Sequence, residues 1–197
     1  MPKDGEKDDP IALMQDWMRD AEKEEPVNPT AVALATSASD GMPSVRMVLL
    51  RGLDERGLVF YTNLESRKGH ELHDNPKAAM CFYWRQLGRQ LRVEGTIELV
   101  DDSEADAYFQ SRDRGSRIGA WASKQSQQLE SRHALEKRVA KFMAKFGVGA
   151  VPRPDFWSGY RLNPQRIEFW TQGQFRLHDR HIYERDGDGW KTERLYP

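Results

Sequence analysis

Residues 31–63, AVALATSASDGMPSVRMVLLRGLDERGLVFYTN, decide the fold class. Three β-rich runs, Ala31 to Thr36, Ser44 to Leu50 and Gly57 to Tyr61, are joined by turn sequences around Asp40-Gly41 and Asp54 to Gly57. Short apolar runs punctuated in this way are hairpin signals, so the segment reads as a meander of antiparallel strands. Downstream the pattern resumes at Ala78 to Tyr83 and Arg89 to Leu99, then near Trp157 to Leu162, Arg166 to Trp170, Arg176 to Glu184 and Trp190 to Leu195. Four helices are expected between and before these strands. Pro10 to Glu24 carries Ile11, Met14, Trp17 and Met18 as an apolar stripe. Ser66 caps a short helix to Leu72 that Pro76 stops. Ser103 and Asp106 match a capping box at the head of a helix to Gln110. Glu130 to Phe146 spaces Leu135, Val139, Phe142, Met143 and Phe146 as one helical face. Strands outnumber helices and connect as hairpins, which makes the fold mainly β with helices (α+β), an antiparallel barrel or sandwich. Residues 1–9 are expected to be disordered and residues 10–197 to form one domain.

Lys and Arg total 30 against 31 Asp and Glu, a formal charge of −1, so no global basic field draws the chain to nucleic acid. Cys81 is the only cysteine, which excludes an intramolecular disulfide and a cysteine-built metal site. No HExxH, GxSxG, GxGxxG or GxxxxGK[ST] pattern occurs, so metal binding, a serine nucleophile and Rossmann or P-loop nucleotide binding have no support. The charged N-terminus lacks an apolar signal segment, and no apolar run approaches the ~20 residues that span a bilayer. A soluble cytoplasmic protein without a membrane partner is expected.

Local cation clusters therefore need local explanations. In ESRKGHEL, Glu65 to Leu72, Arg67 and Lys68 sit at an expected helix N-terminus, where free N–H groups and the helix dipole favour an anion. They make either a phosphate cradle or a solvated basic turn. Tyr108, Arg112 and Ser116 would stack on one face if their helix persists, converging on a phosphate; otherwise they are a core-edge tyrosine and surface groups. Arg46 and Arg51, five residues apart, would face opposite sides of a regular strand. Gln90 shares a strand face with Arg92 and Glu94. In RLHDR, a strand would put Arg176, His178 and Arg180 on one face, which is then open to water or set against an anion.

Seven stretches carry a resemblance: RMVLLRG (46–52), FYTNLESRKGHEL (60–72), RQLRVEG (89–95), YFQSR (108–112), IGAWASKQS (118–126), IEFW (167–170) with RLHDR (176–180), and WKTERLYP (190–197). In this order, over about Asp9 to Pro197, the chain resembles the pyridoxamine (pyridoxine) 5′-phosphate oxidases, the FMN enzymes of vitamin B6 metabolism. The resemblance implies an FMN-binding split β-barrel, a homodimer with FMN between the subunits. It implies FMN contacts at Arg46, Met47, Val48, Leu49, Tyr61, Thr62, Arg67, Lys68, Gln90, Gln125, Ser126, Trp170 and Arg180. Arg51, Tyr108, Arg112, Ser116, Arg176 and His178 match substrate-holding positions, with Arg176 and His178 as the catalytic pair that orients the pyridine and its C4′ substituent. The implied reaction oxidises C4′ of phosphorylated B6 vitamers to pyridoxal 5′-phosphate by hydride transfer to flavin. O2 is the final acceptor, H2O2 is released, and ammonia is lost from the amine. Departures from the family pattern are Arg51 for Lys, Asp113 for Pro, Arg117 for Gln and Thr171 for Gln, and MPKDGEKDD does not match the basic, aromatic lid of some members. The rival implications are an FMN-dependent oxidase of phenazine biosynthesis and a non-catalytic flavin- or heme-binding split-barrel protein.

Overall fold

The computed structural model describes residues 9–197; the expectations for residues 1–8, disorder and the missing lid, lie outside the described residues. Asp9, grouped with them in the sequence reading, is the N-cap of α1 (Pro10–Glu24), its carboxylate accepting from Ile11 N–H at 2.9 Å with Pro10 in the first turn. The apolar stripe of α1 is buried through Ile11, Met14, Trp17 and Met18. Trp17 packs edge-on against Phe169, ring centroids 4.9 Å apart, and Arg89 lies 4.7 Å over its ring. This seats the helix on the sheet core.

Among the described residues nine antiparallel strands form one sheet: β1 (Ala31–Ser37), β2 (Pro43–Leu49), β3 (Gly52–Asp54), β4 (Gly57–Asn63), β5 (Lys77–Trp84), β6 (Arg89–Leu99), β7 (Trp157–Thr171), β8 (Asp179–Asp186) and β9 (Gly189–Arg194). The main path runs β2-β1-β5-β6-β7-β4-β3, with β8 and β9 branching from β7. The expected meander is corrected here. β1 and β2 are a hairpin, but β4 leaves them to pair with the first half of β7, Leu58 opposite Leu162 and Asn63 opposite Trp157. Hairpin signals specify neighbours in sequence; they do not say which strand takes the other edge. The three-residue β3 was too short for its own periodicity and was not foreseen.

Residues 157–171, expected as two strands, are one long β7. From Tyr160 to Thr171 it pairs with β6, while its other edge serves β4 over Trp157–Leu162 (partnered from Asn63 to Leu58) and β8 from Arg166 to Thr171. The register shifts at Glu94/Gly95 opposite Pro164, where a Cβ on residue 95 would sit 2.0 Å from the Asn163 carbonyl oxygen. A glycine and a proline at a bulge are the residues such a break in the ladder tolerates. The sheet thus curls and divides along β7, the split of a split barrel.

Among the described residues there are five α-helices, none long and apolar enough to cross a membrane. α2 (Arg67–Asp74) starts at Ser66 as expected, and α5 (Arg132–Phe146) is capped by Ser131. α3 (Asp102–Ser111) starts one residue before Ser103, with Asp101 at the cap and no side-chain cap bond, so the capping box does not form. The chain then turns at Arg112, which is extended, and Asp113, which is also non-helical, and begins a separate helix, α4 (Arg114–Ala122), which the sequence reading missed. Asp113 is the reason: its carboxylate accepts from Ser116 N–H at 2.8 Å, so it starts a helix better than it continues one. Gly115 lies inside α4 and does not break it.

Candidate active site

α2 begins with two cations in its first turn, an arrangement the helix dipole disfavours unless an anion is near. Lys68 is buried, its ammonium donating to Thr62 Oγ1 at 3.0 Å, Ser66 Oγ at 3.2 Å and Gln125 Oε1 at 3.0 Å. Burial, reinforced by Arg46, pushes its pKa down to about 8 against the opposing pull of Glu71. Gly69 is required next in the chain, because a Cβ there would meet the Leu64 carbonyl oxygen at 2.0 Å.

Glu71, one turn on, ties the cradle to the sheet. Its carboxylate accepts from Arg67 Nε at 2.8 Å, Arg46 Nη2 at 3.0 Å and Ser44 Oγ at 2.6 Å, and from the Thr36 hydroxyl. Sequence reasoning assigned Glu71 no role, although its i, i+4 spacing from Arg67 was the signal. Burial works to raise its pKa, but the hydrogen bonds from Ser44, Thr36, Arg67 and Arg46 outweigh it and hold the group at about 2. A folded value below the ordinary 4.5 means the carboxylate's contribution to stability is complete above 4.5 and is lost as pH falls towards about 2. Glu71→Gln is therefore expected to lower stability near neutral pH and to flatten the acid side of the stability curve, read by urea unfolding at a series of pH values. An unchanged acid limb would show that the network carries no pH-dependent stability.

The opposite wall is aromatic. Tyr61 on β4 stacks on Tyr108 of α3, centroids 3.9 Å apart, and on Trp157 of β7 at 5.4 Å. Gly159 permits this: a Cβ there would lie 2.7 Å from the Tyr61 ring. Burial, with Glu104 and Tyr108 nearby, pushes the Tyr61 phenol up to about 12, so it is neutral. The Arg112 guanidinium lies 4.9 Å over Trp157, and its Nη1 is buried with no hydrogen-bond partner among the described residues. Burial, and more weakly Arg51, lowers the Arg112 pKa; Tyr108 and Asp113 oppose this. A buried donor of this kind is costly unless something accepts from it.

These walls enclose a cavity of about 1040 Å³. Arg46, Met47, Val48, Leu49, Arg51, Tyr61, Thr62, Arg67, Lys68, Tyr108, Arg112, Ser116, Gln125 and Ser126 all line it. Two expectations change. Arg51 lies beyond the end of β2, its N–H bonded to Val59 O, so it shares the cavity with Arg46 instead of facing away. Tyr108, Arg112 and Ser116 meet there not along one helix but because the chain bends between α3 and α4. Trp157 and Asp113 also line the cavity and were missed; Asp113 was noted only as a departure, and nothing in FWSGY marks Trp157 apart from other aromatic core residues.

Gln90, Trp170, Arg176, His178 and Arg180 do not line this cavity. Gln90, Trp170 and Arg180 form a cross-strand row on β6, β7 and β8, and His178 lies 4.5 Å from the Trp170 ring. Trp170 is thirteen residues along β7 from Trp157, about 40 Å of extended strand. RLHDR does not alternate as one strand: Gln174 to Arg176 is a single 3-10 turn, β8 begins only at Asp179, and Arg176 has φ 64°. Arg180 is held by buried Glu168, its Nε donating at 2.7 Å.

The family model described as Pyridoxamine 5′-phosphate oxidase matches residues 18–145, and that described as the Pyridoxine 5′-phosphate oxidase C-terminal dimerisation region matches residues 157–197. The curated pyridoxine/pyridoxamine 5′-phosphate oxidase of Chelativorans sp. (strain BNC1) is 59% identical over 193 residues, 98% of this chain and 92% of that protein. That of Brucella anthropi is 58% identical over 195 residues, 98% and 96% of the two chains. Among solved structures, PhzG from Burkholderia lata 383 in complex with tetrahydrophenazine-1-carboxylic acid superposes with a TM-score of 0.94 at 39% identity, covering 100% of this chain and 97% of that one. An FMN-binding protein of Nostoc punctiforme related to pyridoxamine 5′-phosphate oxidase shares the fold, with a TM-score of 0.76 at 20% identity over 96% of this chain and 98% of that one.

Proposed function

The chain belongs to the pyridoxamine 5′-phosphate oxidase family, and from that premise we propose that it is an FMN-dependent oxidoreductase converting pyridoxine 5′-phosphate and pyridoxamine 5′-phosphate to pyridoxal 5′-phosphate. The observation that carries the reading is the presence of two separate cation groups in one cavity. Arg46, Arg67 and Lys68 gather at the N-terminus of α2, and Arg51 and Arg112 line the cavity near enough for the charge of Arg51 to be felt at Arg112. A phosphorylated cofactor and a phosphorylated substrate need two such anion sites.

FMN fits the first group. The α2 N-terminus, Arg67 and Lys68 would hold its phosphate, with Thr62, Gln125 and Ser126 beside it and residues 46–49 along its length. Bound there, FMN supplies the two-electron chemistry, and O2 takes the electrons onward to H2O2. The vitamer phosphate falls to Arg51, Arg112, Tyr108 and Ser116, where the unpaired Arg112 Nη1 gains its acceptor. Arg51, a broad guanidinium in place of the family's usual ammonium, adds a planar fork to the same site. Arg176 and His178 orient the pyridine ring and C4′.

Gln90, Trp170, Arg176, His178 and Arg180 stand far along β7 from this cavity, so within one chain the two groups of residues do not converge. The protein works as a homodimer, consistent with the dimerisation-region match over residues 157–197, and each cavity is completed by the second copy's row, with FMN between the subunits. The likeness to PhzG keeps open a different ring substrate; the Tyr108, Arg112 and Ser116 set favours a phosphorylated one.

The test is H2O2 release by the FMN-loaded protein offered pyridoxine phosphate, pyridoxamine phosphate and their unphosphorylated forms. Phosphate-dependent turnover yielding pyridoxal phosphate is expected. FMN retained without turnover on any vitamer would transfer the site to the related-oxidase or binding-protein reading.

A further inference from the structure

The chain from Trp170 to His178 closes on itself beside β7. Gly173 N–H donates to Nδ1 of His178 at 3.2 Å, and Leu177 N–H donates to Gln174 O at 2.9 Å. The Trp170 ring covers the imidazole at 4.5 Å. A Cβ on residue 173 would lie 1.8 Å from the Leu177 carbonyl oxygen, so glycine is what lets this N–H approach the ring. Phe175 and Arg176, consecutive and neither a glycine, have φ of 54° and 64°. Backbone of this kind persists only where surrounding bonds over-determine it, and it gathers at functional sites.

The closing bond has a consequence for the imidazole. A neutral histidine carries one N–H and one lone pair, and the bond made by one nitrogen decides the state of the other. Gly173 N–H aims at Nδ1, so Nδ1 presents its lone pair and the ring proton sits on Nε2. Turning the ring over would set a C–H against the Gly173 N–H and leave that partly buried donor unpaired.

We propose that Gly173 locks His178 in the Nε2–H form, so that His178 meets the bound substrate as a hydrogen-bond donor and is not the base that removes its proton. The proposal rests on the reading of His178 as a substrate contact. Nε2–H can donate only to a lone pair, and next to the reacting carbon these lie on the phenolic oxygen at C3 and on the C4′ substituent itself. The proton lost from that substituent then goes to another acceptor. Gly173 acts through the histidine and is a positioning residue.

The test uses the FMN-loaded protein selectively labelled with 15N-histidine, its His178 signals assigned by their loss in His178→Gln. Long-range 1H–15N correlation is expected to show an unprotonated Nδ1 and a protonated Nε2; a proton on Nδ1 would overturn the lock. Glutamine places an amide donor near the Nε2 position, so His178→Gln is expected to recover most of the turnover that His178→Ala loses, and His178→Asn, too short to reach, is not. Were His178 the base, His178→Gln would instead stay down by about 10²–10⁴-fold with the alanine variant, which also overturns the proposal. An Nε2–H ring in a protein that turns over no vitamer would fell the assigned function and leave the lock standing, so the two failures are distinguishable.

Discussion

FMN titrated into apoprotein carrying Arg67→Ala and Lys68→Met is expected to bind with a dissociation constant at least ~100-fold above that of the unsubstituted chain. Each charge-assisted bond to a phosphate contributes roughly 1.5–3 kcal/mol, so losing two costs about 3–6 kcal/mol, or ~10²–10⁴ in affinity. Methionine keeps the apolar stem of Lys68 among its neighbours and removes only the ammonium that Thr62, Ser66 and Gln125 surround. Arg67→Ala leaves Glu71 its bonds from Ser44, Thr36 and Arg46, so the junction of α2 with β1 and β2 survives. Flavin fluorescence reads the affinity, and far-UV circular dichroism confirms the fold. Unchanged affinity in a folded variant would remove the phosphate from the α2 N-terminus.

How legible that cradle was in the sequence follows from how local its determinants are. Ser66, Arg67 and Lys68 announce a capped, anion-seeking helix start within three residues, and α2 begins where they say. α1 was readable from Pro10 and a single apolar stripe within one helix, although its N-cap, Asp9, was grouped with the residues expected to be disordered. Readability failed where the decision was taken elsewhere in the chain. β4 pairs with β7, some hundred residues away, and no hairpin rule reaches that far. Arg51 and Arg46 share a cavity because β2 ends between them, whereas the periodicity argument assumed a continuous strand. RLHDR has a strand-like pattern, but Gly173 and the bond to His178 curl it into a turn before β8 starts. The family resemblance supplied these positions without supplying their geometry, and it is the geometry that separates the cavity from the Trp170 row.

Arg112→Ala is expected to lower kcat/KM for pyridoxine phosphate by about 10²–10³-fold, because a guanidinium held face-on to Trp157 offers a phosphate two parallel bonds. Its buried Nη1 has no hydrogen-bond partner among the described residues, so desolvation has already been incurred in the free protein and the phosphate recovers it. Arg112→Lys keeps the charge but loses the fork and the stacking, and should fall between the two. Selectivity is the decisive readout: the ratio of kcat/KM for phosphorylated over unphosphorylated substrate should collapse with Arg112→Ala, while FMN affinity, set by the α2 group, stays. An equal loss on both substrates would mean that Arg112 serves only to brace Tyr108 and Trp157, and the phosphate would then have to rest on Arg51, Tyr108 and Ser116. If the collapse is confined to the phosphorylated vitamers, the cavity's two cation groups act as separate anion sites, one for the cofactor and one for the substrate.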